Sequence, residues 1–153
     1  MFQATSQKWI RFLLIATALT GVATAADPAT STVAAGGYDL VSYHQSGQPQ
    51  RGTGLHATVH DGQTYLFASK ENKEAFEKDP GKYLPEFGGY CAYGVAVNKK
   101  FVGDPTVWEL VKGKLYFNLN TDIQATWQKD ISGFIKTANK NWRKIKSKAP
   151  SDL

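Results

Sequence analysis

Cysteine and methionine are almost missing from this chain: Cys91 and Met1 are the only ones among 153 residues. A single cysteine excludes an internal disulfide and any zinc centre built from several thiolates of one chain. Histidine is scarce as well, with His44, His56 and His60 making up the whole set. No apolar run reaches the roughly 20 residues that a membrane helix needs. The chain has no Gly-x-Ser-x-Gly nucleophile elbow, no zincin motif and no phosphate-cradling loop ending in Gly-Lys-Ser/Thr. The surroundings of Cys91 match neither the papain nor the caspase pattern. Nothing fixes two acids across a cleft, so glycoside chemistry has no argument either. The absences point away from the common hydrolase and nucleotide-binding classes.

What the N-terminus does contain is a basic, apolar and small-residue succession. Lys8 and Arg11 flank the run from Phe12 to Leu19, and Ala23-Thr24-Ala25 has the small-x-small pattern of a signal-peptidase site. The expectation is a Sec-type signal peptide over 1–25 and an exported protein, periplasmic if the source is a Gram-negative bacterium. The cleavage region has no cysteine to carry a lipid, so no membrane anchor is expected in the mature form. Without Lys8 and Arg11 the chain keeps 16 basic and 13 acidic residues, a net +3. That excess is too mild to argue for nucleic acid, and it sits mainly in "NWRKIKSK" near the C-terminus, where it suits a solvated helix face. In an oxidising compartment, a lone thiol is buried, metal-bound, reactive or paired between chains.

Residues 26–35 read as a flexible lead-in, 36–146 as one small domain and 147–153 as a basic, polar tail. "HATVH" (56–60) and "TYLFA" (64–68) form β-rich runs around Asp61-Gly62, a strong hairpin turn signal. On an unbroken ladder, His56 faces Phe67 and His60 faces Gln63. Ser69 suits the cap of a helix from Lys70 to Lys78, with Ala75 and Phe76 inward, and Asp79-Pro80 stops it. "VWELV" and "KLYFNL" flank Lys112-Gly113 as a second hairpin. Ile123, Trp127, Ile131, Ile135, Ala138, Trp142 and Ile145 then recur every three or four residues, a helical stripe with a break expected at Ser132-Gly133.

The two halves echo each other. Gly62, Tyr65, Phe76, Lys78 and Asp79 recur as Gly113, Tyr116, Trp127, Lys129 and Asp130, each 51 positions later. Gly36-Gly37-Tyr38 recurs as Gly88-Gly89-Tyr90, 52 positions later. The expected fold is therefore α+β, built from two pseudo-repeated hairpin-plus-helix units at about 36–87 and 88–140. A lone hairpin and helix cannot bury their own apolar face, whereas two packed together can. Asp39 and Cys91 then stand as counterparts.

The block "DGQTYLFASKENKEAFEKDPGKYLP" resembles the YHS domain, through Gly62, Tyr65, Phe67, Phe76, Asp79, Pro80 and Tyr83. With "GYD" before it and "GGYCAYGVA", "GDP" and "KLYFNLN" after it, nearly the whole mature chain is similar to the secreted, single-domain bacterial members of that family. The resemblance implies a treble-clef-like module in the first unit, a periplasmic location and a metal-related role. It also implies cysteines directly after the Tyr-x-Phe strand and four residues later in the metal-binding members. This chain has Ala68 and Asn72 there.

The remaining soft and borderline ligands are Cys91 with His44 and His56, and with Asp39 and His60 as further candidates. A thiolate and two imidazoles suit copper or zinc and leave a position open for transfer. One reading is thus a metal-binding protein that buffers or delivers copper, with a metal donor or acceptor protein as partner. The other is a non-catalytic structural or protein-interaction module that has lost its metal, with Cys91 a buried core thiol. A thiol-based redox partner is a third. No catalytic motif marks the chain as an enzyme.

Overall fold

The computed structural model describes residues 32–45 and 47–153. The expected signal peptide and residues 26–31 of the lead-in lie outside the described residues. The rest of the lead-in joins the fold. Strand β1 (Thr32–Val33) ends in a 3-10 turn at Ala34–Gly37, which leads to β2 (Tyr38–Asp39) and the short helix α1 (Ser42–Gln45). Strand β3 (Gln50–Arg51) returns antiparallel to β2.

The first hairpin joins β4 (Thr53–His60) to β5 (Gln63–Phe67), and β1 adds to β5 in parallel. Its turn holds Asp61 at φ +47° and Gly62 at φ +75°, the left-handed pair that a tight two-residue hairpin requires. Helix α2 (Lys70–Lys78) starts where Ser69 Oγ accepts from Asn72 N at 3.2 Å, as the sequence predicts. Asp79 ends α2 and caps α3 (Pro80–Tyr83), whose proline occupies the first turn where no N–H is needed. A second 3-10 turn, Glu86–Gly89, and helix α4 (Ala92–Ala96) follow.

The second hairpin joins β6 (Asp104–Val111) to β7 (Lys114–Asn118) through Lys112 at φ +52° and Gly113 at φ +75°. Helix α5 (Thr121–Trp127) is capped by Asn120, and α6 (Ile131–Ile145) by Asp130. The architecture is α+β. The helical break falls at Gln128–Asp130 and not at Ser132-Gly133, because Asp130 Oδ1 accepts from Gly133 N at 2.9 Å and starts a new helix there.

Both hairpins pair eight residues with five, and both slip register at the same place. Thr53↔Phe67 gives way to Ala57↔Leu66, and Asp104↔Asn118 gives way to Trp108↔Phe117. The first slip corrects one expectation: Phe67 pairs with Thr53, so His56 falls inside the bulge. His60 does pair with Gln63. Gly52 and Gly103 precede the two bulges and donate N–H to Gly37 O at 2.9 Å and Gly89 O at 3.0 Å. A Cβ on either would collide, with the backbone of Leu66 in one case and the side chain of Phe117 in the other.

Two apolar clusters hold the fold. Leu40, Tyr43, Phe67 and Phe76 centre the first, and Phe87, Val95, Trp127 and Ala138 centre the second. Side chains alternate along a strand, so β7 serves both: Leu115 and Phe117 enter the first cluster and Tyr116 the second. Burying each large side chain contributes roughly 1.5–3 kcal/mol, which makes β7 the element that welds the halves together. Tyr43 adds a polar tie across them, its hydroxyl donating to Pro105 O at 2.7 Å while its ring meets Trp108 edge-on. Trp127 and Phe76 are fully buried and Trp108 partly so.

Candidate functional site

Asp39 has no exposed surface. It sits where β2 ends, and the chain folds round it because its carboxylate collects the amides nearby. Oδ1 accepts from Val41 N at 2.9 Å, and Oδ2 accepts from Ala68 N at 2.9 Å and Asn72 Nδ2 at 2.6 Å. Bonds of this charge-assisted kind are about twice as strong as neutral ones. Ala68 and Asn72 are the positions at which the family resemblance places thiolates. Here both are engaged by Asp39.

Cys91 caps α4 from the equivalent approach, after a glycine-rich 3-10 turn, and is 1% exposed. Its sulfur accepts from Gly94 N at 3.3 Å, and its thiol lies 3.7 Å from Asn118 Oδ1. Burial pushes the thiol's pKa up, against backbone N–H groups of Gly94, Leu119 and Tyr93 that pull it down. The protonated thiol therefore prevails at neutral pH, and nucleophilic or ligand chemistry needs the thiolate. Asn118 has no exposed surface, and its Nδ2 has no hydrogen-bond partner among the described residues.

The histidines occupy separate places. His44 is half-buried, edge-on to Tyr83 at 5.3 Å between ring centroids, with its Nε2 enclosed and, among the described residues, without a hydrogen-bond partner. Burial, helped by the charge of Lys82, lowers its pKa. His56 lies in the β4 bulge. His60 packs edge-on against Phe76 at 5.8 Å, and its Nε2 is 3.5 Å from Asp61 Oδ2. Among the described residues, no three His, Cys, Asp or Glu side chains form a group able to hold a metal ion. The sequence-derived set of Cys91, His44 and His56, with Asp39 and His60, is not assembled into one. Asp39 and Cys91 turn toward neighbouring amides instead, while His44 and His60 rest on aromatic rings.

What lies open is a groove of about 710 Å³ between the two hairpins. Its lining joins buried Leu40 and Phe117 to exposed Val33 and Val102, which are 44% and 77% exposed. Gly36, Gly88, Gly89 and Gly103 bring main chain to its walls. Among the described residues of the lining, His60 and Asp61 are the only titratable acid or base side chains apart from tyrosine. Strand β1 runs along it and, among the described residues, ends its sheet, paired on one side only, with β5. Sequence reasoning missed this groove and Asn118. A polar residue closing the apolar run "KLYFN" was the available signal for Asn118; nothing local signals a groove made by separate segments spread from Thr32 to Phe117. Among the described residues, no helix is long and apolar enough to cross a membrane.

A family model, the YHS domain, matches residues 48–86. No curated protein and no solved structure matches the chain.

Proposed function

Residues 48–86 match the YHS domain, and from that premise we propose an exported, non-catalytic protein-interaction module that docks an uncharged, extended peptide in the groove. The observation that carries this reading is the edge strand β1, which among the described residues pairs with β5 alone and brings exposed Val33 to the groove that exposed Val102 also lines. An edge strand offers unpaired N–H and C=O groups, and an extended backbone satisfies them by adding as a further strand. Exposed apolar side chains beside it supply pockets for alternate side chains of the guest. The near absence of charge in the lining selects an uncharged segment.

In this reading the fold is a degenerate duplication. Supporting it are the two bulges, the Asp61 and Lys112 turns, the Ser69 and Asn120 caps and the Gly52 and Gly103 contacts, each pair 51 residues apart. Asp39 and Cys91 are then the locks of the two copies. Export rests on the basic, apolar and small-residue succession over 1–25.

The test is selection of a synthetic-peptide display library on the full mature chain, followed by titration of the best peptide. Selected peptides should be uncharged, and Val102→Asp should weaken their binding about tenfold or more by placing a charge in the apolar wall. Charged peptides, or equal binding to Val102→Asp, would remove the groove from the account.

A second reading keeps copper buffering or delivery, or zinc binding, through Cys91, His44 and His56, with a metal donor or acceptor protein as partner. The association of the YHS domain with metals supports it, as does the unpartnered Nε2 of His44. It requires Cys91 to leave Asn118 and lose its proton. Native mass spectrometry with Cu(I) or Zn(II), on wild type and Cys91→Ser, separates the two readings: a single tightly held ion that the substitution abolishes belongs to the second.

A further inference from the structure

The second hairpin borders another cleft, of about 850 Å³, within the usual size range of small-molecule sites. It lies between the β6–β7 turn and the first turns of α6. Four lysines line it, Lys112, Lys114, Lys129 and Lys136, against one acid, Asp130. Asp130 is engaged: its Oδ1 accepts from Gly133 N at 2.9 Å and Ser132 Oγ at 3.3 Å. Lys114 pairs with Glu86 at 2.8 Å. Lys112, Lys129 and Lys136 are exposed, and among the described residues none of them has an ion-pair partner.

Between these ammonium groups the lining is apolar. Val111, Ile131 and Ile135 are partly buried against the second core cluster and turn their remaining surface to the cleft. Lys112 also stands in a left-handed turn position at φ +52°, where Asn, Asp or Gly is the usual occupant. The corresponding turn of the first hairpin has Asp61 there, and Gln63 where the second has Lys114. The positive charge is thus particular to this corner and is placed against local backbone preference.

We propose that this cleft binds an organic anion with an apolar body, a carboxylate on a chain or ring. The lysines take the charge, and Val111, Ile131 and Ile135 take the body. Desolvation beside the apolar surface strengthens the charge contact over what exposed lysines give in open water.

Calorimetric titration of the full mature chain with three probes tests this: decanoate, the neutral decanol, and inorganic phosphate. Decanoate should bind one to one, with decanol and phosphate each weaker by about tenfold or more, and its affinity should fall as salt screens the lysines. The double variant Lys112→Glu/Lys136→Glu should lose about tenfold or more in decanoate affinity, and Lys112→Gln/Lys136→Gln should lose less. Both pairs are exposed, so an unchanged thermal midpoint will show that the fold is intact. Should the charge-reversed variant fail to fold, the glutamine pair gives the same comparison. Decanol binding as tightly as decanoate, phosphate doing so, or wild-type affinity in either folded variant would overturn the proposal.

Discussion

Asp39 and Cys91 each reach the end of a hairpin's second strand. Ala68, the residue after β5, donates its N–H to the Asp39 carboxylate at 2.9 Å, and the Cys91 thiol lies 3.7 Å from Oδ1 of Asn118, the last residue of β7. A carboxylate and a thiol, 52 positions apart, thus fasten two glycine-rich approaches to two strand ends. The chemistry of both groups is turned inward, to backbone amides and to Asn72 or Asn118.

The Asp39 cluster should behave as one unit. Asp39→Ala leaves Val41 N, Ala68 N and Asn72 Nδ2 without their partner. At about 1–3 kcal/mol for each buried unsatisfied group, the loss in urea unfolding should reach at least about 3 kcal/mol. With Asn72→Ala, a double-mutant cycle should give a coupling of about 1–3 kcal/mol. Additivity within about 0.5 kcal/mol would mean that the two side chains act independently.

Gly52 and Gly103 should be equally intolerant of a methyl group. Gly52→Ala and Gly103→Ala each press a Cβ into the strand beyond the bulge and should lose about 1–3 kcal/mol or more. Gly54→Ala is the control, since a Cβ there meets nothing within 4 Å. Its stability should stay within about 0.5 kcal/mol of wild type. A marked difference between Gly52→Ala and Gly103→Ala would weigh against equivalent bulges.

His44 gives the fold a pH dependence of defined sign. Burial and Lys82 lower its folded-state pKa, so the native state holds the neutral ring. The unfolded chain binds the proton more readily, and stability therefore rises with pH in this window. Unfolding midpoints should be steady above the ordinary histidine value of about 6.5 and decline as pH falls below it. His44→Gln should flatten that decline; an unchanged slope in the variant would assign it to other groups.

Much of this fold is local chemistry and was readable as such. Asp61-Gly62, the Ser69 cap, Asp79-Pro80 and the Ile123–Ile145 stripe act through neighbours within four residues or so. The bulge at His56 and the break at Asp130 depended on Leu66 closing over Gly52 and on one capping carboxylate competing with a Ser-Gly pair. The site was harder still. Strand periodicity placed His56 and His60 on one side of an unbroken ladder, yet the bulge displaces the first from its expected partner, and Phe76 backs the second. Cys91 was read as a ligand or a core thiol. Asn118, 27 residues away, and its burial are tertiary facts that no local pattern carries.

The most direct test of a structural Cys91 is its rate of modification by a disulfide reagent such as dithiobis(nitrobenzoate), in the native protein and in urea. A buried, protonated thiol reacts only when the fold opens, so native labelling should be slower than unfolded labelling by about 1,000-fold or more. Labelling at close to the unfolded rate while the fold persists, or Cu(I) loading that alone blocks a fast reaction, would contradict it.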